Sequence, residues 1–474
     1  MGKDKEMNTE HKSGLLGNTL QGLRFAWREI VNVSTRGRSK SEFGIDAMRA
    51  DIKACLEEEG GEVSARNRAA GLARSYLEFG AEDRLFFLKL LNDELAANDS
   101  AIKSAIVKLG EAESGGPLEN ARRELRRALE PGRVKLLKKF NTLQSGPRFL
   151  VELRSELIGM KKMHPELAPL EADLKDILRS WFDIGFLNLK VINWNSPASL
   201  LEKLGQYEAV HRVRGWMDLK NRLDIDRRCF AFFHPCMKDE PLIFIQVALV
   251  NGLAVQVQEL LDEKATVLES DEADTAIFYS ISNAQQGLVG ISFGNFLIKQ
   301  VVDQLRRELP QLKRFATLSP IPGFVSWLNR ELEAGNVSLR SAELKKMRAI
   351  IKDDRKPLEV LAAAMKSTGW HHDEALSAAF KPILLRLCAG YLLEAKRSDG
   401  QRALNPVANF HISNGARMEQ LNWMGDTSAK GMKESAGIMI NYLYRLDKID
   451  SYHEAYSGKG KIAASSVVKG LLGK

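Results

Sequence analysis

Cysteine is scarce in this sequence, with four residues in 474: Cys55, Cys229, Cys236 and Cys388. No two of them form a Cys-x-x-Cys pair, and their spacing matches no disulfide framework, so we expect free thiols in a reducing compartment. Cys229 and Cys236 stand on either side of His234, but a fourth ligand at a suitable spacing is missing. We therefore expect no metal site.

Long apolar runs and targeting segments are lacking as well. No stretch approaches the ~18–20 apolar residues of a membrane span, and the polar start MGKDKEMNTEHK has no signal-peptide core. The last residues, Gly-Leu-Leu-Gly-Lys, differ from the peroxisomal Ser-Lys-Leu address. With 44% hydrophobic and 27% charged residues, the chain has the composition of a soluble globular protein. We expect a cytoplasmic protein with no membrane partner.

Neither sign of charge is in large excess. The chain has 69 Lys and Arg against 61 Asp and Glu, a net charge of +8. The densest basic run, residues 122–139, has only Phe140 nearby as an aromatic, which is typical of a solvated helix face and not of a nucleic-acid surface. We expect no nucleic-acid partner, and the modest positive charge suits a polyanionic small molecule.

The pattern changes character once along the chain. After a flexible N-terminus (1–13), residues 14–180 have helical periodicity, broken by glycine and proline pairs such as Gly115-Gly116-Pro117 and Gly146-Pro147. This predicts about eight helices in an all-α bundle with no candidate chemistry. Residues 181–474 mix strands and helices, so the predicted fold class is α+β.

Several segments of the second region have strand character. Strands are predicted at residues 186–194, 228–234 and 242–249, the last a near-continuous apolar run suited to a sheet centre. Short helices are predicted at 199–204 and 213–223, and mostly helix from 339 to 396. Residues 253–261 suit either a strand or a short helix.

The stretch from residue 275 to 324 combines these elements around a glycine turn. An apolar run (276–281) predicts a buried strand, and Phe293, Leu297, Val301 and Leu305 mark one face of a helix. Gly287, Gly290 and Gly294 punctuate the turn between them. A strand, a glycine turn and a helix N-terminus together offer backbone N–H groups to a phosphate. A short strand (315–318) and a stiff Ser-Pro-Ile-Pro-Gly corner close the stretch.

Two polar residues stand out as candidates for chemistry. Asn405-Pro406 and Asn414-Gly415 have the pattern of turns on either side of a strand, which would place His411 on a polar face, with residues 418–423 as a return strand. The alternative is a histidine hydrogen-bonded for structure. Ser319 precedes a proline at a strand end, where it is either an ordinary turn residue or a hydroxyl held in a fixed direction. No Gly-x-Ser-x-Gly elbow is present, so a serine hydrolase is not expected.

Three blocks of sequence point to one family. They are Phe-Tyr-Ser-Ile-Ser (278–282) with Gln-Gln-Gly-Leu (285–288), Leu-Ser-Pro-Ile-Pro-Gly-Phe (318–324), and Leu-Asn-Pro-Val-Ala-Asn-Phe-His (404–411). The chain closely resembles the malonyl-CoA decarboxylases, in detail over the C-terminal two-thirds and in helical character over the remainder. The resemblance implies an acetyltransferase-like (GNAT) fold for residues 181–474 and subunit contacts, in a dimer or tetramer, through the helical domain.

The resemblance also implies the site. Ser319 and His411 inherit the roles of the catalytic pair, with malonyl-CoA as substrate. The coenzyme A-binding turn falls on seven residues: Val289, Gly290, Ile291, Ser292, Phe293, Gly294 and Asn295. Here the chain departs from the acetyltransferase pattern Gln/Arg-x-x-Gly-x-Gly/Ala, because Gln286 stands four positions before Gly290 where the pattern has three, and Ser292 stands where the pattern has Gly or Ala.

The reaction explains why so few polar residues are marked. In malonyl-CoA the thioester carbonyl accepts the electrons when CO₂ leaves, so no cofactor and no metal are expected. The protein must orient the scissile bond, stabilise the enolate and protonate carbon, and a histidine with a pKa near neutrality suits the last task. The main alternative is a CoA-dependent acyltransferase on the same fold, for which no base or acceptor channel is identifiable. A non-enzymatic helical scaffold with a degenerate CoA-binding domain is the other.

Overall fold

The computed structural model describes residues 45–143, 145–182, 184–291, 296–351, 354–367 and 369–473. The predicted flexible N-terminus (1–13) and the part of the predicted bundle before residue 45 lie outside these ranges. So do residues 292–295 of the predicted coenzyme A turn.

Between Ile45 and Trp181 the described chain is helical. The helices are α1 (Ile45–Leu56), α2 (Gly61–Glu78), α3 (Ala81–Asp93), α4 (Asp99–Glu111), α5 (Gly116–Leu129), α6 (Gly132–Asn141), α7 (Gly146–Met160) and α8 (Ala168–Trp181). Each predicted glycine or proline break falls at the start of a helix: Gly116 and Pro117 open α5, and Gly146 and Pro147 open α7. In α7, Leu150, Leu153 and Leu157 recur at helical spacing and are fully buried, so the apolar face that indicated the helix is the face that packs. The prediction of a helical region is confirmed over these residues.

Strands begin after residue 187. The elements are β1 (Asn188–Ile192), α9 (Ala198–Tyr207), α10 (Trp216–Asn221), β2 (Arg227–His234), β3 (Met237–Val250), α11 (Val257–Leu260), β4 (Thr275–Asn283), α12 (Phe296–Glu308), β5 (Arg314–Thr317), β6 (Ser319–Pro320), α13 (Phe324–Glu333), α14 (Ser341–Ile350), α15 (Pro357–Met365), α16 (Glu374–Leu393), α17 (Pro406–Ser413), β7 (Arg417–Asn422), α18 (Ala429–Ser435), β8 (Met439–Leu443), α19 (Ile449–Lys459) and α20 (Ser466–Leu471). The ambiguous segment 253–261 therefore contains a short helix, α11.

Eight strands form one mixed sheet in the order β1-β2-β3-β4-β5-β8-β6, with β7 also paired to β8. The apolar run of β3 is buried on both faces, as its lack of alternation predicts. β4 and β5 are parallel, and α12 supplies the crossover between them. They pair from Thr275 opposite Arg314 to Phe278 opposite Thr317, whereas β4 continues to Asn283. A helical region followed by a mixed sheet with helices is the predicted α+β class.

The chain divides into two compact units. The first comprises Met1–Asn188 with Phe233–Leu242 and Asn283–Ser292, and the second comprises Leu189–Phe232, Ile243–Ser282 and Phe293–Lys474. The first unit thus includes the turn between β2 and β3 and the turn after β4 as well as the helices. The second unit holds most of the sheet, with a core that includes Ile277, Leu318 and Met439.

Helix α16 is as long and apolar as a membrane-spanning helix, which the sequence analysis did not expect. Half of its most apolar window is buried inside the structure, and Phe380, Ile383 and Leu384 are fully buried. The core helix of a soluble protein meets the same criteria of length and composition, so this helix by itself is only weak evidence for a membrane span.

Candidate active site

Thr317 and Ser319 lie on the same face of the sheet, next to β8. Thr317 ends β5 and Ser319 opens β6, so the two-residue period of a strand gives them a common face while Leu318 packs into the core. Ser319 pairs with Ile440 of antiparallel β8. Its hydroxyl is therefore positioned by backbone pairing on a buried strand.

The corner after Ser319 is fastened to the start of α17. The carbonyl oxygen of Pro322 accepts hydrogen bonds from Asn405 Nδ2 (2.8 Å) and from the Tyr391 hydroxyl (3.3 Å). Asn405 also accepts from the backbone N–H of Ala408 (2.8 Å), which makes it the N-cap of α17. One asparagine thus connects the segment that carries Ser319 to the helix that carries His411.

His411 lies on helix α17, and the predicted strand is wrong. The Asn-Pro pair is an N-cap followed by a proline in the first turn, a position where the missing proline N–H costs nothing. The Asn-Gly pair ends the helix, with Gly415 at a φ of 75°. The buried residues Ala408, His411 and Ile412 follow helical spacing. The predicted return strand does exist as β7, but it pairs with β8.

The side chains of Ser319 and His411 meet although 92 positions separate them. Ser319 Oγ is 3.1 Å from His411 Nε2, and the serine hydroxyl donates to Thr317 Oγ1 at 2.8 Å. Because the only hydroxyl proton is used there, Ser319 accepts from Nε2–H. Nδ1 is then the acceptor, and the Tyr444 hydroxyl lies 2.9 Å from it and donates to it. These partners assign the neutral tautomer of His411 with its proton on Nε2.

Burial makes this histidine a poor base in the unliganded protein. His411 is 3% exposed, and loss of hydration lowers its pKa from 6.5 to about 3. The expectation of a pKa near neutrality is therefore wrong for the protein without substrate. Burial also raises the pKa of Tyr444 well above 10, so its hydroxyl keeps the proton that it donates to Nδ1.

Aromatic rings hold the imidazole from the sides. The ring of Tyr442 stacks on it with centroids 4.6 Å apart and an interplanar angle of 25°, and the ring of Tyr444 meets it edge-on. The Tyr442 hydroxyl is buried and has no hydrogen-bond partner among the described residues, whereas that of Tyr444 contacts His411. Sequence reasoning did not identify Thr317, Tyr442 or Tyr444. The alternation of Tyr442 and Tyr444 around a strand end was the only available indication.

The predicted phosphate turn follows β4. Residues 286–288 form one turn of 3₁₀ helix, after which Val289 and Gly290 are exposed and Ile291 is buried. Gly290 has a φ of 75°, which favours glycine. Ser292, Phe293, Gly294 and Asn295 lie outside the described residues.

The cysteines and the other possible metal ligands form no cluster among the described residues. Cys229 is buried and Cys236 is exposed. Within the described ranges, no group of three or more His, Cys, Asp or Glu side chains could hold a metal ion.

Comparisons with known proteins agree across both regions of the chain. Residues 185–474 match the family described as malonyl-CoA decarboxylase C-terminal domain, and residues 95–182 match its N-terminal domain. The mitochondrial malonyl-CoA decarboxylase of Anser anser anser is 37% identical over 459 residues, which cover 92% of this chain and 89% of the relative. The solved malonyl-CoA decarboxylase of Rhodopseudomonas palustris has a TM-score of 0.82 at 40% identity (90% of this chain, 99% of that one). That of Agrobacterium vitis has a TM-score of 0.80 at 39% identity (90% and 100%).

A mixed α/β domain with a buried serine–histidine pair, together with these matches, defines the chain as an enzyme of the carboxy-lyase class. It belongs to the malonyl-CoA decarboxylase family. The resemblance drawn from the three sequence blocks is thereby confirmed, and the acyltransferase and scaffold alternatives are not favoured.

One prediction fails against these relatives. The curated relatives from goose, rat and mouse are named as mitochondrial proteins, whereas the sequence analysis predicted a cytoplasmic one. The cytoplasmic prediction, which rested on a missing signal peptide and peroxisomal address, was wrong.

Proposed function

We propose that the chain converts malonyl-CoA to acetyl-CoA and CO₂, in malonate or fatty acid metabolism. Two facts support the proposal: membership of the malonyl-CoA decarboxylase family supports the substrate, and the hydrogen-bonded series Tyr444–His411–Ser319 supports the proton transfer. The second fact carries the proposal, because it places a single titratable side chain between two hydroxyls that fix its orientation.

The reaction draws its driving force from the substrate. When the C–C bond to the carboxylate is perpendicular to the thioester plane, its electrons pass into the carbonyl as CO₂ leaves, and an enolate forms. No cofactor and no metal are required in this proposal. The protein contributes orientation and electrostatic stabilisation of the enolate, and it supplies one proton to carbon.

His411 supplies that proton. An anionic carboxylate beside a buried imidazole favours the charged ring, so substrate binding raises the pKa of His411 and brings one proton with it. When CO₂ departs, the stabilising charge moves to the enolate, and burial again disfavours the imidazolium. The N–H bond at Nε2 then breaks and its proton forms the new C–H bond of acetyl-CoA. The ring is left neutral with the proton gained on substrate binding at Nδ1, where the Tyr444 hydroxyl accepts it.

Ser319 orients the imidazole in this proposal. Its oxygen faces Nε2 and its proton is held by Thr317, whose own oxygen also accepts the backbone N–H of Tyr442 at 3.2 Å. The serine therefore cannot rotate freely, and the direction of Nε2–H is fixed before substrate arrives. A serine that served only the turn would need no partner on α17.

The coenzyme A moiety is assigned to the turn after β4, on an acetyltransferase-like (GNAT) fold of residues 181–474. The order strand, glycine turn, helix supports this assignment, as does the early separation of β5 from β4 after Phe278. Within residues 289–295, Gly290 has the exposure and the positive φ of a backbone phosphate contact.

The helical region (14–180) is assigned to subunit contacts in a dimer or tetramer. Several large apolar side chains on its helices are exposed, among them Ile106 and Val107 on α4 at 54% and 57%. Ile106 and Val107 are neighbours in sequence, and exposed apolar patches are typical of interfaces.

Incubation of the purified chain with malonyl-CoA alone tests the reaction. We expect equal amounts of acetyl-CoA and CO₂ with no acceptor present, measured by chromatography and by trapping of labelled CO₂. An acyltransferase would consume the thioester only after an acceptor amine or alcohol was added, and that result would overturn the proposal.

A further inference from the structure

A buried arginine from the helical region holds the turn after β4. Arg154, on α7, is 2% exposed and donates to the carbonyl oxygens of Gly287 (2.6 Å) and Val289 (2.9 Å). Two more of its N–H groups donate to Glu171 Oε1 at 3.0 and 2.8 Å. One guanidinium, paired with a carboxylate of α8, thus fixes two carbonyls of this turn.

Gly287 allows the turn to lie directly on α7. A Cβ placed on Gly287 would come within 1.8 Å of the carbonyl oxygen of Val151, so no other residue fits without moving the backbone. The turn is therefore seated on the helices by a close backbone approach as well as by Arg154.

This seating turns an N–H outward. In a trans peptide the carbonyl and the following N–H point in opposite directions, and the carbonyl of Val289 points to Arg154. The N–H of Gly290 therefore points away from the guanidinium. It has no hydrogen-bond partner in the described part of the chain, and Gly290 is exposed.

A lysine lies beside that glycine. Lys175, on α8, is partly buried, and its Nζ lies 3.3 Å from the position that a Cβ of Gly290 would occupy. Among the described residues it forms no ion pair, whereas Lys161 is 2.9 Å from Glu171. An ammonium group next to an outward backbone N–H is a pair of donors suited to one anionic oxygen.

We propose that Lys175 and the N–H of Gly290 bind the pyrophosphate of coenzyme A. This inference rests on the proposed function for the nature of the ligand. It assigns Lys175, in a helical region that the sequence analysis gave only to assembly, a direct contact with the substrate. Arg154 and Glu171 are positioning residues that hold the turn open to the phosphate.

Three ligands and two variants test the proposal. Lys175→Met removes the charge and keeps the length of the side chain, and Lys103→Met, which removes an exposed charge on α4, is its matched control. Binding is measured by titration calorimetry with coenzyme A, dephospho-coenzyme A and pantetheine. We expect Lys175→Met to weaken the first two by about tenfold and to leave pantetheine unchanged, because a charge-assisted hydrogen bond to phosphate is lost. Lys103→Met should bind all three as the wild type does.

The outcomes separate this inference from the decarboxylase itself. Normal release of CO₂ from malonyl-CoA with unchanged coenzyme A binding by Lys175→Met would overturn the inference and leave the reaction intact. Weaker coenzyme A binding by Lys175→Met, together with a wild type that releases no CO₂ from malonyl-CoA, would support the inference and overturn the proposed reaction. If Lys175→Met weakened the binding of coenzyme A but not of dephospho-coenzyme A, Lys175 would contact the 3′-phosphate, and the pyrophosphate contact would be refuted. If both variants bound all three ligands equally well, the pyrophosphate contact would be refuted too. In steady state, we expect KM for malonyl-CoA to rise about tenfold with kcat unchanged.

Discussion

The hydroxyl of Tyr444 lies 2.9 Å from Nδ1 of His411, on the side of the ring opposite to Ser319. It occupies the nitrogen that does not face the serine, and it keeps its own proton because burial raises its pKa. The tyrosine therefore decides which nitrogen of the neutral histidine carries the proton. Removal of the Tyr444 hydroxyl should therefore affect the protonation of His411.

Tyr444→Phe should lower kcat about tenfold to a hundredfold, because one buried hydrogen bond to a group that becomes charged is lost. The phenyl ring still packs edge-on against the imidazole, so KM should change little. Tyr442→Phe is the matched control, since it removes a buried hydroxyl without a partner among the described residues from the ring that stacks on His411. Steady-state kinetics of both variants with malonyl-CoA would decide the matter. Equal losses in the two would mean that ring packing, and not the Nδ1 contact, is what matters.

His411→Asn should lower kcat by about 10²–10⁴-fold and change KM little, because the proton is needed only after binding. Circular dichroism and calorimetric binding of coenzyme A would establish that the variant is folded. A variant that turned over at the wild-type rate would show that His411 is not the proton donor.

Ser319→Ala should slow turnover and leave coenzyme A affinity near that of the wild type. Nε2–H loses its acceptor, and the ring is then held only by Tyr444 and by stacking on Tyr442. We expect a decrease of about tenfold or more in kcat. Ser319→Thr keeps the hydroxyl and should recover part of the rate. If the alanine variant were as fast as the wild type, Ser319 would be only a turn residue.

Local pattern was sufficient for much of the fold. The apolar run of β3 follows from burial on both faces of the sheet, and the four-residue spacing in α12 follows from burial of one helical face. The glycine breaks mark the boundaries of the first eight helices, and the structure contains all three features. The error at α17 arose because Asn-Pro and Asn-Gly begin and end a helix as readily as they flank a strand. The spacing of Ala408, His411 and Ile412 was the feature that could have decided between them.

Contacts between residues far apart in the chain could not be predicted from local sequence pattern. Ser319 and His411 were named through a family resemblance, since no local feature predicts that residues 92 positions apart will meet. Thr317 and Tyr444 have ordinary strand surroundings in sequence, and their role depends on which strands become neighbours. The lowered pKa of His411 likewise follows from burial, which a single histidine in a sequence does not reveal.

Val107→Glu should reduce the oligomer if helix α4 carries subunit contacts. A charge in the middle of an apolar interface loses its hydration and has no partner, so association weakens. Light scattering after size exclusion would give the mass of the full chain and of the variant, with Lys103→Glu, on the same helix, as the control. An unchanged mass for Val107→Glu would place the contacts elsewhere.

The stability of the wild type should decrease more steeply with falling pH than that of His411→Asn. In the unfolded chain the histidine pKa is near 6.5, whereas burial lowers it to about 3 in the folded protein, so between these values the unfolded state binds more protons. The stability linked to His411 is therefore fully present above pH 6.5 and is lost as pH falls toward 3, at about 1.4 kcal/mol per pH unit. The free energy of unfolding by urea, measured at pH 7, 6 and 5, should show the advantage of the wild type over His411→Asn shrinking with each step. The difference between wild type and Tyr442→Phe should stay constant over the same range, because neither tyrosine nor phenylalanine titrates there. A wild-type advantage over His411→Asn that did not change with pH would mean that His411 binds its proton equally well in both states, and the buried neutral imidazole would have to be abandoned.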